Sequence, residues 1–304
     1  MSGIFSALLT PFDETGRIKT EMAGALVDFY VKQRANGVYL MGYTGEGMTM
    51  TPEQRMEWAA AAVPAAKGKL TAIIHVGYSR DPRVGVGLAR HAGRIGADAV
   101  SSVGLSDQAS LEENVAYFKA ISEASGLPFY VYWNSYGGNL NGGIRLDPQD
   151  LVATLKREVP TFAGFKFTDS NFYYVDRIKR YDPDVVVMTG VDQMCVPARL
   201  MGADGAIGAL QAVTCEHFSV MWERLEAGDV KGAMELQRRA NNIYEALDVP
   251  EIGGLIPALK YVMIHHYGVD VGSVCQGASY RDITDPSVGE RLLKLFKENI
   301  YEEN

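Results

Sequence analysis

Eight short apolar runs, each followed by a stretch of helical spacing, constrain this chain more than any other feature. The runs cover residues 6–9, 38–41, 72–76, 99–103, 129–133, 162–167, 185–188 and 206–209. Between them apolar side chains recur at helical intervals, as at Met22, Leu26, Phe29 and Tyr30. Some helix starts are marked. Thr51-Pro52-Glu53-Gln54 offers a capping hydroxyl, a proline in the first turn and a glutamine placed for a capping box. Asp147-Pro148 repeats that logic. Repeated strand-then-helix units demand a parallel sheet covered by helices, and eight strands close into a barrel. The expected fold is α/β, a (β/α)8 TIM barrel, with an open doubly wound sheet as the alternative. After Gln211 only helical patterns continue, over 212–226, 229–246, 253–266 and 287–298, broken at Asp248-Val249-Pro250 and at Gly268. The expected division is a catalytic barrel over 1–226 and a helical extension over 227–304.

A chain of 304 residues, 47% of them hydrophobic, can bury such a core as one unit. The net charge of −8, with both signs interspersed, lacks the basic footprint of a nucleic-acid partner. No run reaches the length of a membrane span, and the first residues carry no signal-peptide pattern. Cys195, Cys215 and Cys275 are odd in number and irregularly spaced, which predicts neither a disulfide framework nor a zinc site and fits the reducing cytoplasm.

One residue is out of place. Lys166 lies in Phe162-Ala163-Gly164-Phe165-Lys166-Phe167, the sixth predicted strand, near its C-terminal end. A lysine could snorkel outward from such a strand. Buried, its ammonium is costly unless paired or deprotonated, and a neutral amine near pH 7 is what attack on a ketone requires. Barrel enzymes carry their reactive groups at the C-terminal ends of strands. Tyr132, one strand earlier, offers a phenol for proton transfer, or else a core aromatic. Gly42-Tyr43-Thr44-Gly45-Glu46-Gly47, after the second strand, reads as a loop whose amides could hold an anion, with Glu46 as a brace, or as a plain turn. Gly190-Val191-Asp192-Gln193 suits recognition of hydroxyls, or an N-cap for the next helix by Asp192.

Taken in order, these segments resemble the dihydrodipicolinate synthase/N-acetylneuraminate lyase family of class I aldolases. The motifs are G-x-T-G-E at 42–46, Tyr132, G-x-K at 164–166 and G-A-D-G-x-I-G at 202–208. The resemblance implies a homotetramer that works without metal or organic cofactor on a small 2-keto acid of the pyruvate type. It implies Lys166 as the Schiff-base lysine, Tyr132 as the proton-shuttling tyrosine, and Thr44 and Gly45 as the loop that holds the keto-acid carboxylate. Ile207 matches a residue whose carbonyl lies near the lysine. Within the family the chain looks most like the N-acetylneuraminate lyase branch. There Thr168, Gly190, Asp192, Gln193 and the position of Ala209 face the sugar chain.

Several positions depart from the family pattern. Tyr43 stands where a smaller hydroxyl residue helps relay protons. The segment after the fourth strand, Ser101 to Asp107, has no tyrosine. Ala209 replaces a serine, Ser135 replaces a proline, and Gly137 replaces the arginine of the synthase branch. The resemblance therefore implies a carbon–carbon lyase closest to N-acetylneuraminate lyase, with a dihydrodipicolinate synthase-like enzyme or a 2-keto-3-deoxy sugar acid aldolase or dehydratase as alternatives. A pyruvate-binding protein with altered catalysis is the reading from another class. A metal-dependent barrel finds no support in the five histidines, since His265 and His266 diverge on a helix and His75 reads as packed.

Overall fold

A computed structural model describes residues 1–106, 109–134, 147–248 and 254–301. Eight parallel strands close into a barrel in chain order. They are β1 (Gly3–Leu8), β2 (Gly37–Leu40), β3 (Thr71–His75), β4 (Ala99–Ser102), β5 (Phe129–Asn134), β6 (Phe162–Thr168), β7 (Val186–Thr189) and β8 (Gly205–Ala206). The helices after the first four strands are α1 (Ala23–Lys32), α2 (Pro52–Ala66), α3 (Pro82–Ile95) and α4 (Leu111–Ser125). Those after the last four are α5 (Pro148–Glu158), α6 (Tyr173–Tyr181), α7 (Cys195–Leu200) and α8 (Gln211–Glu226). Then come α9 (Val230–Leu247), α10 (Leu255–His265) and α11 (Pro286–Asn299). The (β/α)8 expectation holds, including its helical extension. Ser135, Gly137, Asp107 and the break at Val249-Pro250 lie outside the described residues.

Local chemistry places the elements. Thr51 closes a full capping box with Gln54, with Pro52 at the first helical position. Asp147 accepts the amides of Gln149 and Asp150 at the start of α5. Along β6 the side chains alternate. Phe165 and Phe167 join the core between barrel and helices, and the residue between them turns inward. A separate inner layer, including Phe5, Tyr39, Ile73, Tyr130 and Met188, fills the barrel's interior.

The eighth strand is shorter than its apolar run predicts. It spans two residues, because the chain turns away at Gly208 and Ala209 toward α8, where Asp192 accepts the amides of Ala209 and Leu210. Carbonyl-to-amide pairing with both neighbours ends there.

Candidate active site

Lys166 stands inside the barrel toward the C-terminal end of β6, in register with Tyr132 on β5 and Met188 on β7. It is 6% exposed. Its Nζ lies 4.2 Å from the ring centre of Tyr39 and 4.2 Å from that of Tyr132. Among the described residues none forms a hydrogen bond or an ion pair with this amine. Burial lowers its pKa to about 7, and the carboxylate of Asp192 works the other way without restoring the usual value. The neutral amine is then within reach near neutral pH.

The outward alternative for Lys166 is thus overturned by the alternation of β6: the phenylalanines take the outer face. The ring of Tyr132 is buried beside the amine. Burial pushes its phenol up to about 12, against a hydrogen bond with Thr168, while the negative charge of Asp192 pushes the same way as burial. A Cβ on Gly190 would lie 2.0 Å from Thr168 Oγ1, so a larger residue here would have to displace that hydroxyl. The Gly190 amide donates to the Phe167 carbonyl at 2.8 Å, holding the β6 and β7 ends together.

Asp192 does not cap its own short helix, Asp192–Met194, as a local reading of the sequence allows. Its Oδ2 accepts the Ala209 amide at 3.0 Å and its Oδ1 the Leu210 amide at 3.2 Å, so it ties the β7 loop to the start of α8. Burial raises its pKa to about 6, while these amides and Lys166 oppose that rise. Ile207 is buried in the inner layer, with its amide donating to Thr189. Gln193 is half-buried beside Asp192, and Ala209 is half-buried next to the carboxylate its amide engages.

The 42–47 loop is tightly built. Glu46 donates its amide to the Tyr43 carbonyl and Gly47 to that of Gly42. Those two amides are consumed by the turn and cannot serve an anion. The amides of Gly42, Tyr43, Thr44 and Gly45 meet no acceptor among the described residues, so this part of the loop, including buried Thr44 and Gly45, keeps N–H groups that an anion could use. A Cβ on Gly45 would lie 2.7 Å from the Leu8 carbonyl, and one on Gly47 only 1.9 Å from that of Met41. Thr10 Oγ1 donates to the Gly45 carbonyl at 2.7 Å. Glu46 itself adopts a φ of +60°, a conformation that costs a non-glycine residue about 1–3 kcal/mol. Its carboxylate is held by Lys260 Nζ at 2.7 Å, the Cys275 amide at 2.6 Å and the Tyr280 hydroxyl at 3.1 Å. The helical extension thereby braces the loop.

The structure adds residues that sequence reasoning left aside. Tyr39 Oη lies 3.0 Å from His75 Nδ1 and donates to Ser101 Oγ, also at 3.0 Å. The His75 ring lies 5.7 Å from that of Tyr132 and 4.2 Å from that of Tyr78. Inward alternation on β2 and β3 is the signal that could have found Tyr39 and His75; nothing local marks Tyr78. Tyr43, by contrast, is 57% exposed, although its charge would still be felt at Tyr78 and Tyr132. Among the described residues no group of three or more His, Cys, Asp or Glu side chains converges as a metal site, and no helix is long and apolar enough to cross a membrane.

A profile of the dihydrodipicolinate synthetase family matches residues 1–278. The chain belongs to that family. The N-acetylneuraminate lyase of Rhizobium meliloti strain 1021 is 34% identical over 248 residues, covering 81% of this chain and 80% of that protein. The N-acetylneuraminate lyase of Citrobacter koseri is 33% identical over 277 residues, covering 90% and 89%. The solved Proteus mirabilis N-acetylneuraminate lyase superposes with a TM-score of 0.87 at 26% identity, over 98% of each chain. The Aliivibrio salmonicida enzyme, at 23% identity and a TM-score of 0.89, shares the fold. As a member of the dihydrodipicolinate synthetase family, on its N-acetylneuraminate lyase branch, this protein is a carbon–carbon lyase of the class I aldolase type.

Proposed function

We propose that this lyase cleaves N-acetylneuraminate or a closely related 2-keto acid to pyruvate and an aldehyde through an imine on Lys166. The observation that carries the reading is the buried amine of Lys166, unpaired among the described residues and poised to lose its proton near pH 7. The substrate carboxylate rests on the amides of Thr44 and Gly45. The neutral amine attacks the C2 ketone, and Tyr132 moves protons so that water leaves the carbinolamine. The iminium then draws in the electrons of the C3–C4 bond as the C4 hydroxyl gives up its proton. Aldehyde departs, the enamine is protonated at C3, and water releases pyruvate and the free lysine. Thr168, Gly190, Asp192, Gln193, Ile207 and Ala209 line the side that receives the aldehyde half, and Tyr43 closes the loop side.

The same reading takes the protein as a cytoplasmic homotetramer. Three free, buried cysteines suit a reducing compartment. It also keeps the division into a barrel over 1–226 and an extension over 227–304. The extension supplies Lys260 to the substrate loop and so belongs to the working enzyme.

Borohydride added to the protein with pyruvate should leave a reduced adduct on Lys166, located by mass spectrometry, and pyruvate should be released from N-acetylneuraminate. Pyruvate that binds without any reducible adduct would make the protein a binder and end the aldolase reading. Adduct formation together with release only from 2-keto-3-deoxy sugar acids would keep the chemistry and change the substrate.

A further inference from the structure

Two aromatic faces meet at the reactive nitrogen. The rings of Tyr39 and Tyr132 lie edge to face, with centres 6.3 Å apart and planes at 83°. Nζ of Lys166 sits in the corner between them, over each face at 4.2 Å from the ring centre. Tyr132 already has a part in proton transfer; Tyr39 has none. The Tyr39 hydroxyl is engaged by His75 Nδ1 and Ser101 Oγ, both at 3.0 Å. Those partners come from β3 and β4, and together they fix the plane of the ring. Tyr78 packs on His75 with ring centres 4.2 Å apart and backs that support. The loop side is equally close. A Cβ on Gly42 would lie 2.7 Å from the edge of the Tyr39 ring and 3.8 Å from Nζ, so only a residue without a side chain lets the loop rest against both. A ring that merely filled the barrel could be a phenylalanine, as Phe5 is in the same inner layer, with no phenol to bury.

We propose that the π face of Tyr39 holds the positive charge of the Schiff-base nitrogen, which makes Tyr39 a catalytic residue that favours the iminium over the free ketone. The inference rests on the imine chemistry assigned to Lys166. As the C2–N bond forms and the ketone oxygen leaves as water, amine and ketone together take up one proton, and one positive charge stays on the nitrogen. The titratable groups around that nitrogen are Tyr39 from β2, His75 from β3, Tyr132 from β5 and Asp192 from the loop after β7. Burial keeps both phenols protonated and His75 unprotonated. The Asp192 carboxylate accepts the amides of Ala209 and Leu210 and forms no ion pair with Lys166. What the cation meets at contact distance is therefore the negative faces of two rings. Such attraction is strongest where water is excluded, as it is here. It acts on the ammonium of the free enzyme too, and burial outweighs it there, so the amine still loses its proton near pH 7.

Fluorine drains the negative face of a benzene ring with little change in its shape. Tyr39→Phe serves as the reference, compared with the same chain carrying 4-fluorophenylalanine or 3,4,5-trifluorophenylalanine at position 39. Pyruvate is titrated at pH 8 and the borohydride-trapped adduct on Lys166 is read by mass spectrometry. The half-saturating pyruvate concentration should rise step by step along the series, to about tenfold to thirtyfold above the reference with three fluorines. At pH 6 the series should flatten, because the free amine is then already an ammonium and the ring holds a cation before and after pyruvate binds. Equal half-saturation with none, one and three fluorines overturns the proposal, since packing alone does not register the charge distribution of a ring. An effect of the same size at pH 6 and pH 8 overturns it as well. Should Tyr39→Phe fail to fold by circular dichroism, 3-fluorotyrosine at position 39 keeps the hydroxyl and carries the comparison with the parent. A rise of about twofold to threefold is then expected, and none overturns the proposal. A parent that traps no adduct fails the Lys166 reading itself, a result in which the fluorinated rings play no part.

Discussion

Two lysines are almost wholly buried in this barrel, and their surroundings could hardly differ more. Lys260, 1% exposed, spends all three of its donors, on Glu46 at 2.7 Å, the Thr10 carbonyl at 2.8 Å and the Ser273 carbonyl at 2.5 Å. Lys166 spends none on a described residue and faces two aromatic rings. Burial lowers the pKa of both. At Lys260 the carboxylate of Glu46 is in contact and opposes the shift, whereas at Lys166 the opposing carboxylate, Asp192, is no hydrogen-bond partner. Burial alone therefore does not make a reactive lysine. Burial without a contacting anion does, because no ion pair then offsets the lost hydration of the ammonium.

The sharpest way to break this contrast is to remove each amine in turn. Lys166→Met should lower turnover by about 10⁴-fold or more and abolish borohydride trapping. Lys260→Met should still trap pyruvate at Lys166, and Lys260 should never carry adduct in the parent. Adduct found at Lys260 would undo the comparison.

Stability should respond with opposite signs. Lys260→Met leaves the Glu46 carboxylate buried without its cation and should cost about 3–5 kcal/mol in urea unfolding. Lys166→Met relieves a buried amine that is unpaired among the described residues and should gain up to about 4 kcal/mol at pH 7. The folded pKa of Lys166 is about 7 against an ordinary 10.5, so the unfolded chain binds more protons between these values. Parent stability should accordingly climb as pH rises through that window, and the part due to Lys166 should vanish in Lys166→Met. Equal destabilisation by both substitutions would show that the two amines are held alike.

Replacing the whole pair sharpens the point further. Glu46→Leu combined with Lys260→Met should recover most of the loss, to within about 2 kcal/mol of the parent, since an apolar pair can stand in for a buried ion pair. Turnover should stay reduced even so, because the loop that offers the Thr44 and Gly45 amides has lost its brace. The smallest effect is a shift in pH. Imine formation should rise through about pH 7 as Lys166 loses its proton. Asp192→Asn removes the charge that favours the ammonium and should move that midpoint down by roughly half a unit to one unit, read from trapping rates. A midpoint that moves up would mean that Asp192 does not act on the amine through its charge.

Much of this protein is decided by its sequence alone. Eight apolar runs alternating with helical spacing, the capping box at Thr51 and the caps at Asp147 are local properties, set by side-chain periodicity and by hydrogen bonds within a few residues. They fix the barrel and its helices, and the motif set fixes the family. The oddness of Lys166 is legible too, since a charge between two phenylalanines conflicts with its neighbours. What only the tertiary structure decided is which way each group points and what it meets. The alternation of β6 turns Lys166 inward. Asp192 binds the amides that lead into α8 and not those of its own turn, because its partners lie 17 and 18 residues away in sequence. The role of Glu46 depends on Lys260 and Cys275, more than 200 residues further along the chain. Tyr78 has no sequence signal at all, because its positive φ and its place against the His75 ring exist only once distant elements have packed around it. Desolvation and pairing act through space, and a one-dimensional pattern carries no record of who stands beside whom.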